Sequence, residues 1–503
     1  MRTLYRARRV HTLGHPSSGD WILVDDRHVQ RVGAGEPPPA DRLVDLPGAT
    51  IVPGFIDAHV HLTGTGQSLA DEDVRETGSA GALLAIARDR ATQSGEVAFL
   101  HGFDETRWDD PRLPTIEELD AASTRPLVIR RVDGHTALAN SAALREAEVL
   151  SAPGLELDAE GKPTGRVTQE ANTRVGRWCA MRLPEGTIQD LQLRAAAVAA
   201  SRGITAVHEM SMPYEQGLRD LEIFLGHRER LPVDATVVVA TMDIPQVMDL
   251  RLPAIGGDLP IDGSIGARTA ALGAPYEDVD RDGIGYYSDE ELLQFCRTGH
   301  HAGLQVGVHA IGDRAIDQIL SAWERVYTAL DSRGRRHFRA RRHRIEHFEM
   351  ASDSQIERAA MLGLAISVQP AFDAAWGAPG GLYEIGVGSE RAAAMNPFRS
   401  MLERGLEVGA GSDAPVTPLD PMGGIDAFEH HHRPDQRLSR AEAVRVWTTG
   451  SARLAHLEDK KGALEPGMHA DFAAYDDDPM DAPNVAGLRP ILTVSLGRDV
   501  YAA

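Results

Sequence analysis

Short apolar stretches alternate with helical patterns along most of this chain. Nine stretches, rich in β-branched residues, have the pattern of buried strands: residues 51–58, 97–102, 127–132, 204–209, 235–240, 305–309, 344–347, 364–369 and 406–412. Between them, apolar positions recur at the helical period, most clearly over residues 191–202, 289–302, 314–330, 352–362 and 440–454. This alternation predicts an α/β fold with a closed parallel (β/α)8 barrel. Since such a barrel has eight strands, at least one of the nine belongs to an insertion or an edge.

The two ends of the chain have a different pattern. Residues 1–50 contain short β-like pieces and a Pro/Gly-rich stretch over 33–41, and residues 470–475 and 491–496 also have strand patterns. Because chain termini often lie close together, we expect the two ends to pair into one small β domain. The expected division is 1–50 and 456–503 for that domain and 51–455 for the barrel.

Composition and charge limit the kinds of molecule that this protein is expected to bind. The chain has 503 residues, with 42% hydrophobic and 25% charged, as in ordinary globular proteins. Its net charge of −22 argues against nucleic acid and anionic membranes as partners. Two distant cysteines provide no disulfide framework, and no apolar run has the length of a signal peptide or membrane helix. We therefore expect a cytoplasmic protein, with a homodimer as the default assembly.

Single polar residues stand at the ends of several predicted strands. His59 and His61 close the first strand and, being two residues apart, face the same side. His309, His347 and Asp413 end later strands. Any one of them alone is more often a structural residue. The carboxyl ends of barrel strands meet at one mouth, however, so the five together predict a divalent-metal site of imidazoles and a carboxylate.

Eight sequence motifs carry a family resemblance. They are PGFIDAHVH at 53–61, DGHTA at 133–137, TGRVTQE at 164–170, DGSIGARTA at 262–270, HAIGDRA at 309–315, RIEH at 344–347, GSDAP at 411–415 and EPGMHAD at 465–471. Together they resemble the amidohydrolase superfamily, and within it the amidohydrolase-3 group that includes N-substituted formamide deformylase-like enzymes. The resemblance covers nearly the whole chain.

The resemblance implies both a fold and a reaction. The implied fold is a distorted (β/α)8 barrel of the TIM type with a small β-sandwich built from the N- and C-terminal segments. The implied reaction is hydrolysis of a carbon–nitrogen bond in a small-molecule amide, such as an N-substituted formamide, by a metal-activated water. The implied metal is one or two divalent ions, zinc first, bound by His59, His61, His309 and His347.

Two further residues receive a role from the resemblance. Asp413 is implied as the carboxylate that takes a proton from the activated water and passes it to the departing nitrogen. His135, in the DGHTA segment, is expected to hydrogen-bond the substrate carbonyl or its oxyanion. Without the resemblance, a capping or loop histidine is an equally good interpretation of His135.

One position departs from the family pattern. Two-metal members commonly carry a lysine, modified to a carbamate, four residues before the aspartate of the DGS segment. This chain has Asp258 there, which is too short to take the place of that lysine unless the backbone moves. Glu209, at the end of a predicted strand, is the first candidate to replace it as a metal ligand, and Glu170 is the second. A residue that orients a ligand histidine is an equally good interpretation of Glu209. If no acid bridges, a one-metal site is expected.

Some alternatives remain open on the sequence. The same scaffold also serves a deaminase or a cyclic-amide hydrolase acting on a heterocycle. A metal-free binding relative is a third hypothesis, against which the intact histidine set argues. The three histidines at 430–432 predict a surface helix end or loop, because consecutive residues share no face. Residues 62–95, 210–217 and 372–391 are expected to cover the mouth. Within the last segment, residues 372–388 are expected to form a mobile lid or an ordinary surface loop.

Overall fold

The computed structural model describes residues 1–70, 72–93 and 97–503, so part of the expected mouth segment 62–95 lies outside the described residues. Its centre is a sheet of eight parallel strands in chain order. These barrel strands, β1 to β8, are Phe55–Val60, Ile204–Ser211, Asp234–Val239, Ala254–Ile255, Gln305–Ala310, Arg344–His347, Ala365–Val368 and Glu407–Ala410. The barrel closes where the backbone N–H of Asp413 donates to the His59 carbonyl at 2.8 Å. The predicted (β/α)8 barrel is confirmed.

Two of the nine predicted strands lie outside the barrel. Residues 97–102 and 127–132 fall in a separate sheet inserted between β1 and β2, with strands Glu72–Asp73, Ala98–Phe103, Leu127–Arg131, Thr136–Ala139, Leu155–Leu157 and Pro163–Thr168. The barrel strand that the sequence pattern missed is β4. It is only two residues long, too short to show any period.

Both chain ends contribute to a third sheet, as expected. Its strands are Arg2–His11, Ser18–Asp25, His28–Gly33, Arg42–Pro53, Phe472–Tyr475, Leu492–Ser495 and Arg498–Ala502. The sheet curls around a core that includes Tyr5 and Phe472, whose rings meet edge to face at 4.9 Å. The Val29 N–H donates to the Met468 carbonyl at 2.8 Å. This bond links strand His28–Gly33 to the segment that precedes strand Phe472–Tyr475.

Helices surround the barrel and fill the long connections. Their bounds are Leu62–Ala70, Ala80–Gln93, Ile116–Ala122, Ser141–Glu146, Gln169–Ala180, Glu185–Ser201, Pro213–Gln216, Leu218–His227, Ile244–Asp249, Asp289–His301, Asp313–Thr328, Ser332–Arg341, Asp353–Leu362, Pro370–Trp376, Leu382–Val387, Ser389–Ala394, Phe398–Glu403, Pro421–Glu429, Arg440–Arg445 and Ser451–Leu454. Among the described residues, no helix is long and apolar enough to cross a bilayer.

Sequence signals explain where the predicted helices form. Asp289–His301 and Asp353–Leu362 begin after serines, Ser288 and Ser352, that form capping boxes with the residue three positions later. Asp313–Thr328 packs a stripe of residues at helical spacing on the barrel: Ile316, Ile319, Leu320 and Trp323. Each such buried side chain stabilises the fold by about 1.5–3 kcal/mol.

A buried ion cluster joins the terminal sheet to the barrel. Lys461 is only 2% exposed, and its Nζ lies 2.7 Å from Asp471 Oδ2 and 2.9 Å from Asp234 Oδ2. Asp471 directly precedes strand Phe472–Tyr475 of the terminal sheet, whereas Asp234 opens β3. Removing one partner of a buried pair leaves the other charge uncompensated, which is expensive.

The substitution Lys461→Met is therefore expected to lower the free energy of unfolding by about 3–5 kcal/mol, measured by urea denaturation. The neighbouring Lys460 is exposed, so Lys460→Met is the matched control and should leave the unfolding midpoint unchanged. Equal effects of the two substitutions would contradict a role for the buried cluster in holding the two parts together.

Candidate metal centre and active site

Six polar side chains converge at the carboxyl ends of the barrel strands. The five residues that the sequence placed at strand ends lie there, and Asp258 joins them after β4. All six are buried: His59, His61, Asp258, His309, His347 and Asp413. The strand ends of a βα barrel form its catalytic face, so this cluster is the candidate active site.

Asp258 lies at the centre of the cluster. Its Oδ1 is 3.2 Å from His309 Nδ1 and 3.3 Å from His347 Nε2. Its other oxygen, Oδ2, is 3.5 Å from His61 Nε2. One carboxylate therefore faces histidines on opposite sides of the mouth. Asp413 completes that arrangement from β8, with Oδ1 at 3.1 Å from His61 Nε2.

Two glycines let Asp258 reach the centre despite its short side chain. Gly256 and Gly257 follow β4 with φ of 87° and 56°, a left-handed conformation that favours glycine. They pass close to β5: a Cβ on Gly256 would lie 2.1 Å from the Gly307 carbonyl oxygen. After this turn the chain pairs with β5 again, through Pro260 and His309. Asp258 lies between the turn and this pairing, and its carboxylate reaches the cluster.

The imidazoles are held in fixed orientations. Three of them present Nδ1 to an acceptor, at 2.9 Å for His59 to Glu346, 2.8 Å for His61 to the Met210 carbonyl and 2.8 Å for His347 to Gln369. A proton on each Nδ1 leaves the Nε2 lone pair directed at the central carboxylates. His59 Nε2 and Asp413 Oδ1 are buried and have no hydrogen-bond partner among the described residues.

This arrangement fits a divalent metal ion. The Nε2 lone pairs and the carboxylate oxygens that they face repel each other unless a cation lies between them. The nitrogen–oxygen separations of 3.1–3.5 Å also resemble the edge of a tetrahedron with bonds near 2.1 Å, which is about 3.4 Å. Two sets of three donors stand close enough to share an ion, and they have His59 in common: His59, His61 and Asp413, and His59, Asp258 and His347.

The pKa values of the site residues also indicate that positive charge stabilises this cluster. Burial lowers the pKa of His61, but the neighbouring Asp413 outweighs burial and raises that pKa to about 9. Burial raises the pKa of Asp413, but His59 and His61 hold it well below its usual value. In the absence of a metal ion His61 takes up a proton, so metal binding and protonation compete here.

A buried ion pair beneath the site supports His59. Glu346 receives two hydrogen bonds from Arg344, at 2.9 and 3.0 Å, and its Oε2 also faces His59 Nδ1. Burial raises the pKa of Glu346, but Arg344 and His59 outweigh burial and lower it to about 2. Sequence reasoning noted the segment but gave Glu346 no role. Strand alternation contained the signal, since Arg344 and Glu346 share one face of β6.

The two glutamates weighed as bridging acids lie elsewhere. Glu209 Oε2 accepts the Leu62 N–H at 2.8 Å, and burial raises the pKa of Glu209 to about 7. Glu209 belongs to neither set of donors. Glu170 is exposed and pairs with Arg174 at 2.5 Å. The acid at the centre of the cluster is Asp258.

His135 faces the cluster from the inserted sheet. Its backbone N–H donates to Asp133 at 3.1 Å, and its ring lies 5.7 Å from the ring of His309. Burial lowers the pKa of His135 against the opposing field of Asp133, so the ring is neutral at physiological pH. It borders a small cavity of ≈ 40 Å³ on one side and a cavity of ≈ 500 Å³ on the other, and the larger cavity is lined in part by Tyr214 and Tyr286.

Two other sequence expectations have mixed outcomes. Residues 372–391 include most of helix Pro370–Trp376 and all of helix Leu382–Val387, and side chains of both helices wall the small cavity. At 430–432, the surface prediction holds for His430 and is wrong for His431, which is fully buried. The reason is that the helix ends at Glu429 and the chain turns inward, so that His431 packs on Phe398 at 5.3 Å.

Comparison with known proteins supports the resemblance drawn from the motifs. The sequence model described as "Amidohydrolase family" matches residues 42–501. YtcJ of Bacillus subtilis (strain 168) is 27% identical over 92% of this chain and 91% of its own length. N-substituted formamide deformylase of Arthrobacter pascens is 24% identical over 92% and 90%. The structure of a metal-dependent hydrolase from Pyrococcus horikoshii OT3 matches 97% of this chain and all of its own, at 26% identity and a TM-score of 0.77.

The Glu346–His59 contact leads to a test of the metal centre. We expect Glu346→Gln to weaken zinc binding about 10- to 100-fold, because the His59 ring loses its charged anchor. Competition with a chromophoric chelator measures the affinity. The exposed Glu390→Gln serves as control. Unchanged zinc affinity in folded Glu346→Gln protein would show that this contact does not support metal binding.

Proposed function

This chain belongs to the amidohydrolase family and is a hydrolase that acts on carbon–nitrogen bonds, and we propose that its substrates are small amides, N-substituted formamides first among them. The observation that carries the reaction is the convergence of four imidazoles and two carboxylates at the barrel mouth. The relative from Arthrobacter pascens, named for deformylation of N-substituted formamides, supplies the substrate class.

We propose that the centre holds two divalent ions, with zinc as the first metal to test. His59, His61 and Asp413 would hold one ion, and His309 and His347 the other. Asp258 would serve both, since Oδ2 faces His61 while Oδ1 faces His309 and His347. When bound, such ions lower the pKa of a coordinated water and polarise a carbonyl.

The protein's own groups manage the protons of the reaction. The pKa of Asp413 is held low, so its side chain is ionised. This carboxylate would accept a proton from the attacking water. Asp413 would then pass that proton to the departing nitrogen, because an amine leaves poorly unless it is protonated. His135 is neutral and lies at the rim, where its ring N–H would donate to the oxygen of the substrate carbonyl.

The two cavities beside His135 would hold the two sides of the amide. The cavity of ≈ 40 Å³ suits a short arm, and the cavity of ≈ 500 Å³ suits a longer one. We further propose a cytoplasmic location, since the two cysteines form no disulfide. Small amides rather than macromolecules are the proposed partners.

Product analysis tests the reaction. The zinc-loaded protein is expected to release equimolar formate and amine from N-substituted formamides. Asp413→Asn should lower kcat by about 10²- to 10⁴-fold through loss of the proton shuttle, and the exposed Asp476→Asn should not. Release of ammonia from heterocyclic amines, with formamides untouched, would instead establish the deaminase alternative.

Metal counting by plasma mass spectrometry tests the role of Asp258. We expect about two zinc ions per chain in the wild-type protein and at most one in Asp258→Asn, because an amide group replaces one of the two carboxylate oxygens and removes the negative charge. Glu209→Gln should retain two, since Glu209 bonds the Leu62 backbone and not the centre. Loss of an ion in Glu209→Gln, with none lost in Asp258→Asn, would assign the bridging role to Glu209.

A further inference from the structure

The smaller of the two cavities beside His135 also adjoins the metal centre. His135, His309 and Asp413 border it, which places it next to the reacting bond of the proposed function. Its volume is ≈ 40 Å³, about three times the minimum that holds one ordered water molecule. A substrate arm of only a few heavy atoms therefore fits there.

A buried carboxyl group with one unpaired oxygen lines this cavity. Glu349 follows β6 by two residues and is only 3% exposed. Its Oε2 is buried and has no hydrogen-bond partner in the described part of the chain. The Tyr383 hydroxyl interacts with this carboxyl group but does not satisfy Oε2. A buried carboxyl oxygen without a partner is costly, so a ligand that supplies a donor would restore the missing interaction.

Aromatic rings form one continuous wall of the cavity. Phe372 lies parallel to the His347 ring at 6.0 Å, and the Trp376 ring follows at 4.9 Å from Phe372. Tyr383 continues the series at 6.2 Å from Trp376. Aromatic faces attract organic cations, and the attraction grows where water is excluded. Ring faces together with a carboxyl suit an ammonium group.

Among the described residues, Arg131 is the one arginine that borders the cavity, and it does not offer a site for an anion. Arg131 is 2% exposed, and its guanidinium contacts three carboxylates, at 2.8 Å for Glu105, 3.0 Å for Asp133 and 3.3 Å for Asp104. One positive charge is thus already opposed by three negative ones. A negatively charged substrate arm would be repelled there, whereas a cationic arm would not.

We propose that Glu349 determines the specificity of this enzyme by binding a protonated primary amine at the end of a short substrate arm. The ammonium would donate to the Glu349 carboxyl, with the rings of Phe372, Trp376 and Tyr383 beside it. The inference rests on the proposed function for the assignment of the neighbouring centre as the site of amide cleavage. It adds the chemical class of the substrate: amides with a short amino-alkyl arm.

A matched pair of substrates provides the test in turnover. N-(2-aminoethyl)formamide and N-propylformamide have arms of equal length and differ in an ammonium against a methyl group. We expect zinc-loaded wild-type protein to favour the amino substrate at least tenfold in kcat/KM. Glu349→Gln should remove that preference, mainly through KM of the amino substrate, and change kcat/KM of the propyl substrate less than threefold. The exposed Glu390→Gln is the control and should keep the preference.

A shorter carboxylate separates recognition from a purely structural role. Glu349→Asp keeps the charge but withdraws it by one methylene, so this variant should shift its preference towards N-(3-aminopropyl)formamide. Thermal unfolding of each variant establishes that it is folded. A uniform loss of kcat/KM for all substrates in folded variants, or no preference for the amine in the wild type, would overturn the proposal.

Binding without turnover keeps this inference distinct from the proposed function. Calorimetry on the zinc-loaded protein should detect propylammonium but not 1-propanol, and Glu349→Gln should weaken propylammonium binding at least tenfold. If that holds while no formamide is cleaved, the ammonium site stands and formamide hydrolysis fails. If formamides are cleaved but propylammonium does not bind, or binds equally to Glu349→Gln, the ammonium site fails alone.

Discussion

The active site depends on one electrostatic conflict. Imidazole lone pairs and two carboxylates are gathered in a buried space, with nitrogen and oxygen atoms 3.1–3.5 Å apart. Such a cluster is stable only when positive charge enters it, as protons or as metal ions. The proposed catalytic groups are arranged around this requirement, which is why Asp413 is kept ionised and why the outer nitrogens of the histidines are tied down.

Backbone conformations that cost free energy are concentrated around the same cluster, at the carboxyl ends of the barrel strands. His347 and Asp413 both have left-handed backbones, with φ of 70° and 54°, at a cost of about 1–2 kcal/mol each. Gly256 and Gly257 follow β4 with left-handed backbones and directly precede Asp258 at the mouth. These local costs are offset by the packed barrel and its surrounding helices, whose buried residues form one large cluster. The rigid scaffold thereby holds a donor set that would not assemble by itself.

The sequence contains much of the fold and the outline of the site, because both follow from local periodicity. Strands β5 and β6 end in histidines, so alternation and strand-end position suffice to gather His309 and His347 at one mouth. What the sequence does not contain is how the backbone turns between elements. Side-chain length alone argues against Asp258 as a metal ligand. The turn made by the two preceding glycines brings its carboxylate to the centre of the cluster. Residues 97–102 have the same apolar pattern as a barrel strand, and pattern alone does not assign a strand to a sheet.

The most direct test of this account is a crystal structure of the zinc-equilibrated protein with anomalous data collected at the zinc absorption edge. The account predicts two zinc ions, seen as two anomalous peaks, and both are bonded to the Asp258 carboxylate. One ion is also bonded to His61, and the other is also bonded to His309 and His347. Absence of zinc from this cluster, or zinc bonded to Glu209 with Asp258 turned away, would contradict the central claim.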